Sequence, residues 1–474
     1  MSTSVEAPRW AAVLQGWQSG PGPAYQRLAE QFKAAIQHGR LTAGARLPAE
    51  RTLARMLGIS RSTVVAAYDN LADGGWLERR QGSGTRVAPR APRRPRVLTL
   101  RTPASGTGDD LDFTIAVPWL DGEQRAELRR ASARAFDDSS YHPLGLPELR
   151  EAVAATYVEQ GLATRPEQIL ITTGAQQGIA LTVAALVRPG DTCVLETPTF
   201  FGAIDACRAA QARLVGVEVH TQPPGVAAAQ LTEVFERQAP RWSFLTPTFQ
   251  NPTGTLMPTA TRRRIAALIN QSQVPLVEDD TLADLSFGVA TPPTIASLAA
   301  PSAPVISVGS LSKLYWAGLR VGWLRLPEAL LAKVAQTKTL ADFGSALPSQ
   351  RIALQLVSDL PRLRERRREL ALPGRDLLVE LLRAQLPQWQ FGVPEGGQFL
   401  WVELPTANAT GYTQVAARHG VRVFPGAAMA VGGSQDCWLR LPFTMPMALL
   451  PEAVSRMASA WAEFSQREGD TRLS

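Results

Sequence analysis

The chain has 474 residues with 45% hydrophobic content, too long for one ordinary core, so two or three domains are predicted. Its net charge of +7 is uneven: residues 1–101 hold 16 Lys/Arg against 6 Asp/Glu, and the remainder 33 against 36, which predicts a polyanionic partner for the N-terminal end alone. No apolar run reaches the ~18 residues of a membrane span; no signal-peptide core follows Met1, three scattered cysteines and four unclustered histidines offer neither a disulfide framework nor a metal site, and the expected location is the cytoplasm.

In chain order, Leu28, Phe32, Ala35 and Ile36 recur at helical spacing with a stop at Gly39, which predicts a helix within residues 23–40. A short helix over Ala49–Leu57 follows, then the turn Gly58-Ile59-Ser60 with Ser60 as N-cap, and a helix over Arg61–Asp73. Two short helices on a glycine turn make a helix-turn-helix, whose second member presents Arg61, Ser62 and Thr63 where base edges and phosphates are met. Residues 76–80 and 85–87 flank the tip Gln81-Gly82-Ser83-Gly84, a wing with Arg79, Arg80 and Arg86 on or beside it. The strings Arg46-Leu47-Pro48, Arg51-Thr52-Leu53-Ala54, Ser60-Arg61-Ser62-Thr63-Val64, Ala67-Tyr68 and Gly82-Ser83-Gly84 resemble the winged helix-turn-helix of the GntR family of bacterial repressors. The resemblance spans most of residues 23–88 and implies that Arg46, Arg51, Ser60, Arg61, Ser62, Thr63 and Gly84 face a double-stranded DNA operator. A Pro/Arg-rich stretch without apolar periodicity then reads as a linker, giving the bounds 1–88, 89–109 and 110–474.

From about residue 110, helices alternate with short β-rich runs: 169–173, 192–196, 243–246, 275–278 and 305–308. That alternation predicts a mostly parallel sheet with crossover helices, and ligands then sit just after the strands. After the first run, Gly174-Ala175-Gln176 opens a helix whose amides suit a phosphate. After the others come Phe200 in a Pro/Gly-braced turn, Asn251 in Gln250-Asn251-Pro252, the carboxylates of Glu278-Asp279-Asp280, and Ser310-Leu311-Ser312-Lys313 with Arg320 beyond. Lysine is scarce in a chain that otherwise writes arginine, and Lys313 stands where a primary amine can attack a carbonyl. In this order the elements assemble phosphate, flat ring, phenolic oxygen, ring nitrogen and aldehyde, which is pyridoxal 5′-phosphate.

Over roughly residues 110–465 this part resembles the fold-type I aminotransferases, with a smaller α+β subdomain expected from about residue 365. The resemblance implies Lys313 as the aldimine lysine, Asp279 on the pyridine nitrogen, Asn251 on the 3′-oxygen and Phe200 on the ring. It assigns the phosphate to the amides of Ala175 and Gln176, to Ser310, Ser312 and Arg320, and to Tyr141 across a homodimer interface; Arg440 would take a substrate α-carboxylate. Thr281 departs from the tyrosine usual two positions after the aspartate, and Gln398 is a further candidate contact. A GntR-type winged helix followed by this domain resembles the MocR type of bacterial transcriptional regulators. That implies a regulator which senses the cofactor, an amino compound or both; the alternative is a working aminotransferase with an accessory DNA-binding domain.

Overall fold

The computed structural model describes residues 10, 13–14, 17–18, 23–37, 41, 44–73, 76–80, 84–88, 110–132, 140–221, 224–432 and 435–473. The stop at Gly39, the wing tip at Gln81–Ser83, the side chains of Arg79 and Arg80 and the linker 89–109 lie outside them. The chain divides into one unit up to Leu100 and a second from Arg101.

In the first unit, helix α1 (Ala24–Gln37) buries Leu28, Phe32 and Ala35, with Phe32 edge-on to Tyr68 at 5.7 Å. Helix α2 (Glu50–Leu57) stops at Gly58, whose φ of 68° is a left-handed conformation that glycine adopts without a Cβ penalty. Ser60 Oγ then accepts the Thr63 amide at 3.1 Å and starts helix α3 (Arg61–Asp73), the expected N-cap. Strands β1 (Leu77–Arg80) and β2 (Gly84–Val87) form the wing, and residues 44–47 pair along its edge through Leu47 N to Thr85 O at 2.9 Å and an Arg46–Arg86 bridge.

The second unit is built on an eight-stranded sheet. Its strands are β3 (Ile169–Thr172), β4 (Thr192–Thr197), β5 (Arg213–Thr221), β6 (Pro224–Val226), β7 (Trp242–Leu245), β8 (Leu276–Asp279), β9 (Val305–Ser310) and β10 (Gly322–Arg325). They lie in the order β3-β10-β9-β8-β7-β4-β5-β6, with β9 through β5 parallel and β10 and β6 antiparallel to their neighbours. Every run expected from the sequence is a strand within a residue or two; the antiparallel insertion of β10 was not expected. Side chains alternate between two buried faces, Ile171, Val194 and Leu245 on one and Leu170, Cys193 and Phe244 on the other, which is why these strands read as continuous apolar runs.

The smaller subdomain has an antiparallel sheet ordered Gln390–Phe391, Phe399–Glu403, Trp438–Pro442, Phe424–Pro425. Its boundary differs from the expected one, because Phe113 is buried in its core and Leu111–Asp112 pairs in parallel with Val421–Arg422. The chain therefore enters through the subdomain that its C-terminal part completes. No helix among the described residues is long and apolar enough to cross a membrane.

Candidate functional site

All the parallel strands end on one edge of the sheet, and the polar motifs follow them there. β8 ends in Asp279, β9 in Ser310, and β3 is followed by Gly174 and helix α4 (Ala175–Leu186). Strand β10 starts on the same edge: Gly322 pairs with Ser310 on one side and Thr172 on the other. A Cβ on Gly322 would lie 2.8–2.9 Å from Gly174 C, Gly309 O and Ala175 N, all backbone, so only glycine fits between the Lys313 loop and the helix start. Arg320, two residues earlier with φ 54°, puts its guanidinium against Gly174. The first amides of a helix have no intrahelical partner, so Ala175 and Gln176 present donors beside that cation. Phe200 is the N-cap of helix α5 (Phe201–Ala209), and a Cβ on Gly202 would meet both its ring and Gln176 Oε1, which places the ring by the first turn of α4.

Strand alternation separates the three adjacent carboxylates. Glu278 turns away and accepts the amides of Ile295 and Ala296 at 2.7 and 2.9 Å. Asp279 is buried and accepts the Thr281 amide at 3.0 Å; burial pushes its carboxyl up, while Thr281 and the Lys313 charge oppose that. Both Asp280 oxygens are buried with no hydrogen-bond partner among the described residues, and burial raises that group well above the carboxylate range. Glu196, at the end of β4, is pushed up to about 8 by burial, partly offset by the Thr246 amide and Gln250.

Lys313 keeps some accessible surface while its amine donates to Ala116 O at 2.7 Å. Burial lowers the amine to about 8; Arg440, Arg367 and Arg320 push the same way and Asp279 opposes. Arg440 is buried between the rings of Phe399 and Phe424, at 4.5 and 4.7 Å, and donates to Thr114 O at 2.7 Å and Asn251 Oδ1 at 3.4 Å. Thr114 and Ala116, two residues apart, thus tie Arg440 and Lys313 into one site. Gln398 donates to Lys313 O at 3.2 Å and holds the lysine turn. Ser310 Oγ donates to Val321 O and accepts the Ser312 amide, both at 3.1 Å, so this hydroxyl braces the loop and its one proton is committed. Tyr141 is 85% exposed and does not join the other site residues within the chain.

The residues present fit the cofactor expected from the sequence. A buried carboxylate lies within electrostatic reach of the amine, a helix start with an arginine offers an anion cradle that a Cβ would fill, and Arg440 Nε is buried with no acceptor among the described residues. Sequence reasoning missed Thr114, Ala116, Phe399, Phe424, Glu196 and Arg367. Of these only Arg367 left a local signal, an arginine in the apolar stripe Leu360, Leu363, Ala371 of helix α6 (Leu360–Gln385).

On the first unit, Arg46, Arg51, Ser60, Arg61, Ser62 and Gly84 are exposed and Thr63 is half-buried. Arg61 Nη2 lies 3.3 Å from Glu50 Oε2, a long pair on a side chain 57% exposed, which leaves the guanidinium available to a stronger anion.

The family model for aminotransferase class I and II matches residues 122–457, and that for bacterial regulatory proteins of the gntR family matches residues 24–87. The chain is 29% identical to the HTH-type transcriptional regulator YdcR of Escherichia coli, itself uncharacterised, with 88% of this chain and 94% of that protein covered. It is 29% identical to the probable rhizopine catabolism regulatory protein MocR of Rhizobium meliloti, over 77% of this chain and 78% of that one. Among solved structures it is similar to LysN, the α-aminoadipate aminotransferase of Thermus thermophilus complexed with N-(5′-phosphopyridoxyl)-L-leucine. The TM-score is 0.69 at 30% identity, over 74% of this chain and 92% of that one.

Proposed function

The chain belongs to the aminotransferase class I and II family and joins to that domain a gntR-family DNA-binding domain, and from this premise we propose a transcriptional regulator of the MocR type. It binds operator DNA through its winged helix and takes pyridoxal 5′-phosphate, an amino compound, or both, at Lys313. The observation that carries the reading is the Lys313 amine held on Ala116 O at 2.7 Å, in a site with the buried Asp279 and Arg440, in a chain that also presents a recognition helix. When bound, the cofactor supplies an aldehyde conjugated to an electron-accepting ring.

The chain's own groups do the rest. Asp279 would keep a proton on the ring nitrogen, and Asn251 would face the phenolic oxygen. Phe200 would cover the ring; the amides of Ala175 and Gln176, Arg320 and the Ser312 hydroxyl would hold the phosphate, with Ser310 bracing the loop. Arg440 would take the α-carboxylate, with Thr114 and Asn251 keeping its fork oriented. Thr281 leaves the phenolic oxygen without a tyrosine donor from this strand end. The 85% exposure of Tyr141 supports a homodimer in which it completes the partner's phosphate site, and the fold is consistent with a cytoplasmic protein. A ligand moves the regulator only by binding its DNA-competent and DNA-incompetent arrangements with different affinity.

The test uses an operator selected by the full-length protein from a random duplex pool. Adding cofactor and an amino compound should change operator affinity by roughly 5- to 150-fold in the wild type, and not at all in Lys313→Ala. Transamination of an amino acid with a keto acid, with operator affinity indifferent to both, would favour the enzyme instead.

A further inference from the structure

Helix α6 is rich in arginine, and the surface arginines near position 367 are neutralised locally. Arg362 pairs with Asp359 and Glu127, Arg364 with Asp284, Arg366 with Asp121 and Glu123, and Arg368 with Glu365. Arg367 differs. It stands in the buried stripe Leu360, Leu363, Arg367, Ala371, Gly374, Leu378, at positions three and four apart, where packing alone calls for an apolar side chain. It is 6% exposed, and its Nε and Nη2 are buried with no hydrogen-bond partner among the described residues. A buried guanidinium without acceptor or counter-charge is costly, and its retention in an apolar stripe calls for an anion that arrives with a ligand.

The ion pairs on either side show where α6 runs. Arg366 reaches Asp121, at the end of the segment that carries Thr114 and Ala116 over the site, and Arg364 reaches Asp284, in the loop after Asp279. Farther along, Gly374 packs so close to Phe443 O that a Cβ would sit 2.7 Å from it, which sets the helix against the strand of Arg440. Arg367 shares the buried stripe with Gly374, and it lies close enough to Lys313 for its charge to be felt at that amine along with those of Arg440 and Arg320. Burial alone lowers Arg367 to about 10 and Arg440 to about 9, with no carboxylate contributing to either. Of the three guanidiniums around Lys313, the phosphate accounts for Arg320 and an α-carboxylate for Arg440; Arg367 is left over.

We propose that Arg367 and Arg440 form a paired-guanidinium site, so that the amino compound taken at Lys313 carries a second anionic group besides its α-carboxylate. This rests on the reading of Lys313 as the ligand-bearing lysine. Both arginines act on the amine through their charge, and each desolvated cation would meet one end of a short amino-dicarboxylate or its sulfonate equivalent. A neutral tail leaves Arg367 buried and unpaired, which gives the site discrimination against neutral amino acids.

The experiment is calorimetric titration of the cofactor-free full-length chain with reduced N-(5′-phosphopyridoxyl) conjugates of L-aspartate, L-glutamate, L-2-aminoadipate, L-glutamine and L-leucine. At least one acidic conjugate should bind roughly ten- to a hundredfold more tightly than the glutamine conjugate, the range for a hydrogen bond to a charged group. R367Q should abolish that preference while leaving the glutamine conjugate within about threefold, and R367K should retain part of it. R367M, with a measured melting temperature, guards against misfolding and should be no less stable than the wild type, because an uncompensated buried charge is gone. A preference absent at every acid length, or one that survives R367Q, overturns the assignment. Tight binding of the leucine conjugate with no acidic preference removes this inference alone; failure of every conjugate to bind removes the Lys313 reading with it.

Discussion

The amine of Lys313 should titrate about 8, well below the 10.5 of an ordinary lysine. That difference corresponds to about 3 kcal/mol against charging it in the folded chain. At pH 7 about a tenth of the amine is neutral, against about one part in 3,000 for a free lysine, so the nucleophilic form is enriched about 300-fold. The sign follows from proton counts: between pH 8 and 10.5 the unfolded chain binds the proton and the folded chain does not. Stability therefore rises with pH through that window, and the full penalty is present below it. Competitive labelling with acetic anhydride from pH 6.5 to 11, read by peptide mass spectrometry against the exposed Lys333, measures this in the cofactor-free full-length protein. Arg440→Gln removes a like charge and should raise the titration midpoint; Asp279→Asn removes the opposing carboxylate and should lower it. A midpoint of 10 or above in the wild type would mean that the amine is solvated. If both substitutions moved the midpoint the same way, the account of which charges surround Lys313 would be wrong.

Three further outcomes are expected. Arg61→Ala should weaken specific operator binding by roughly 1–3 kcal/mol if the guanidinium reads a base edge, measured by fluorescence anisotropy; unchanged affinity would place it outside the interface. Ser60→Ala removes the acceptor of the Thr63 amide and should cost the DNA-binding unit about 1 kcal/mol, seen as faster hydrogen exchange across α3. Gly322→Ala forces a Cβ onto three backbone atoms that cannot rotate away. It should destabilise the second unit by roughly 1–3 kcal/mol and weaken binding of phosphate-bearing ligands, and an unchanged thermal midpoint would show that the Lys313 loop and the α4 start are less tightly joined than their spacing indicates.

Much of this molecule was legible from the chain because its code there is local. Each buried parallel strand is a run of apolar residues, and each ends where a glycine, proline or carboxylate starts a loop, so Gly174, Asn251, Asp279 and Lys313 could be found one strand at a time. The helix-turn-helix is similarly local, since Gly58 needs a left-handed backbone and Ser60 caps the next helix within three residues. Tertiary structure decided what lies across the site. The Lys313 amine meets the Ala116 carbonyl from 197 residues away, and Arg440 meets Thr114 from 326. No periodicity encodes such pairs, because backbone carbonyls carry no residue identity and the sheet order that joins them is non-sequential. Strand alternation put Asp279 within electrostatic reach of the amine and sent Glu278 to the amides of Ile295 and Ala296, a choice among three adjacent acids that composition leaves open. Antiparallel β10 entered between β3 and β9 and delivered Arg320 to the α4 start, since the only room beside that backbone is the size of a glycine.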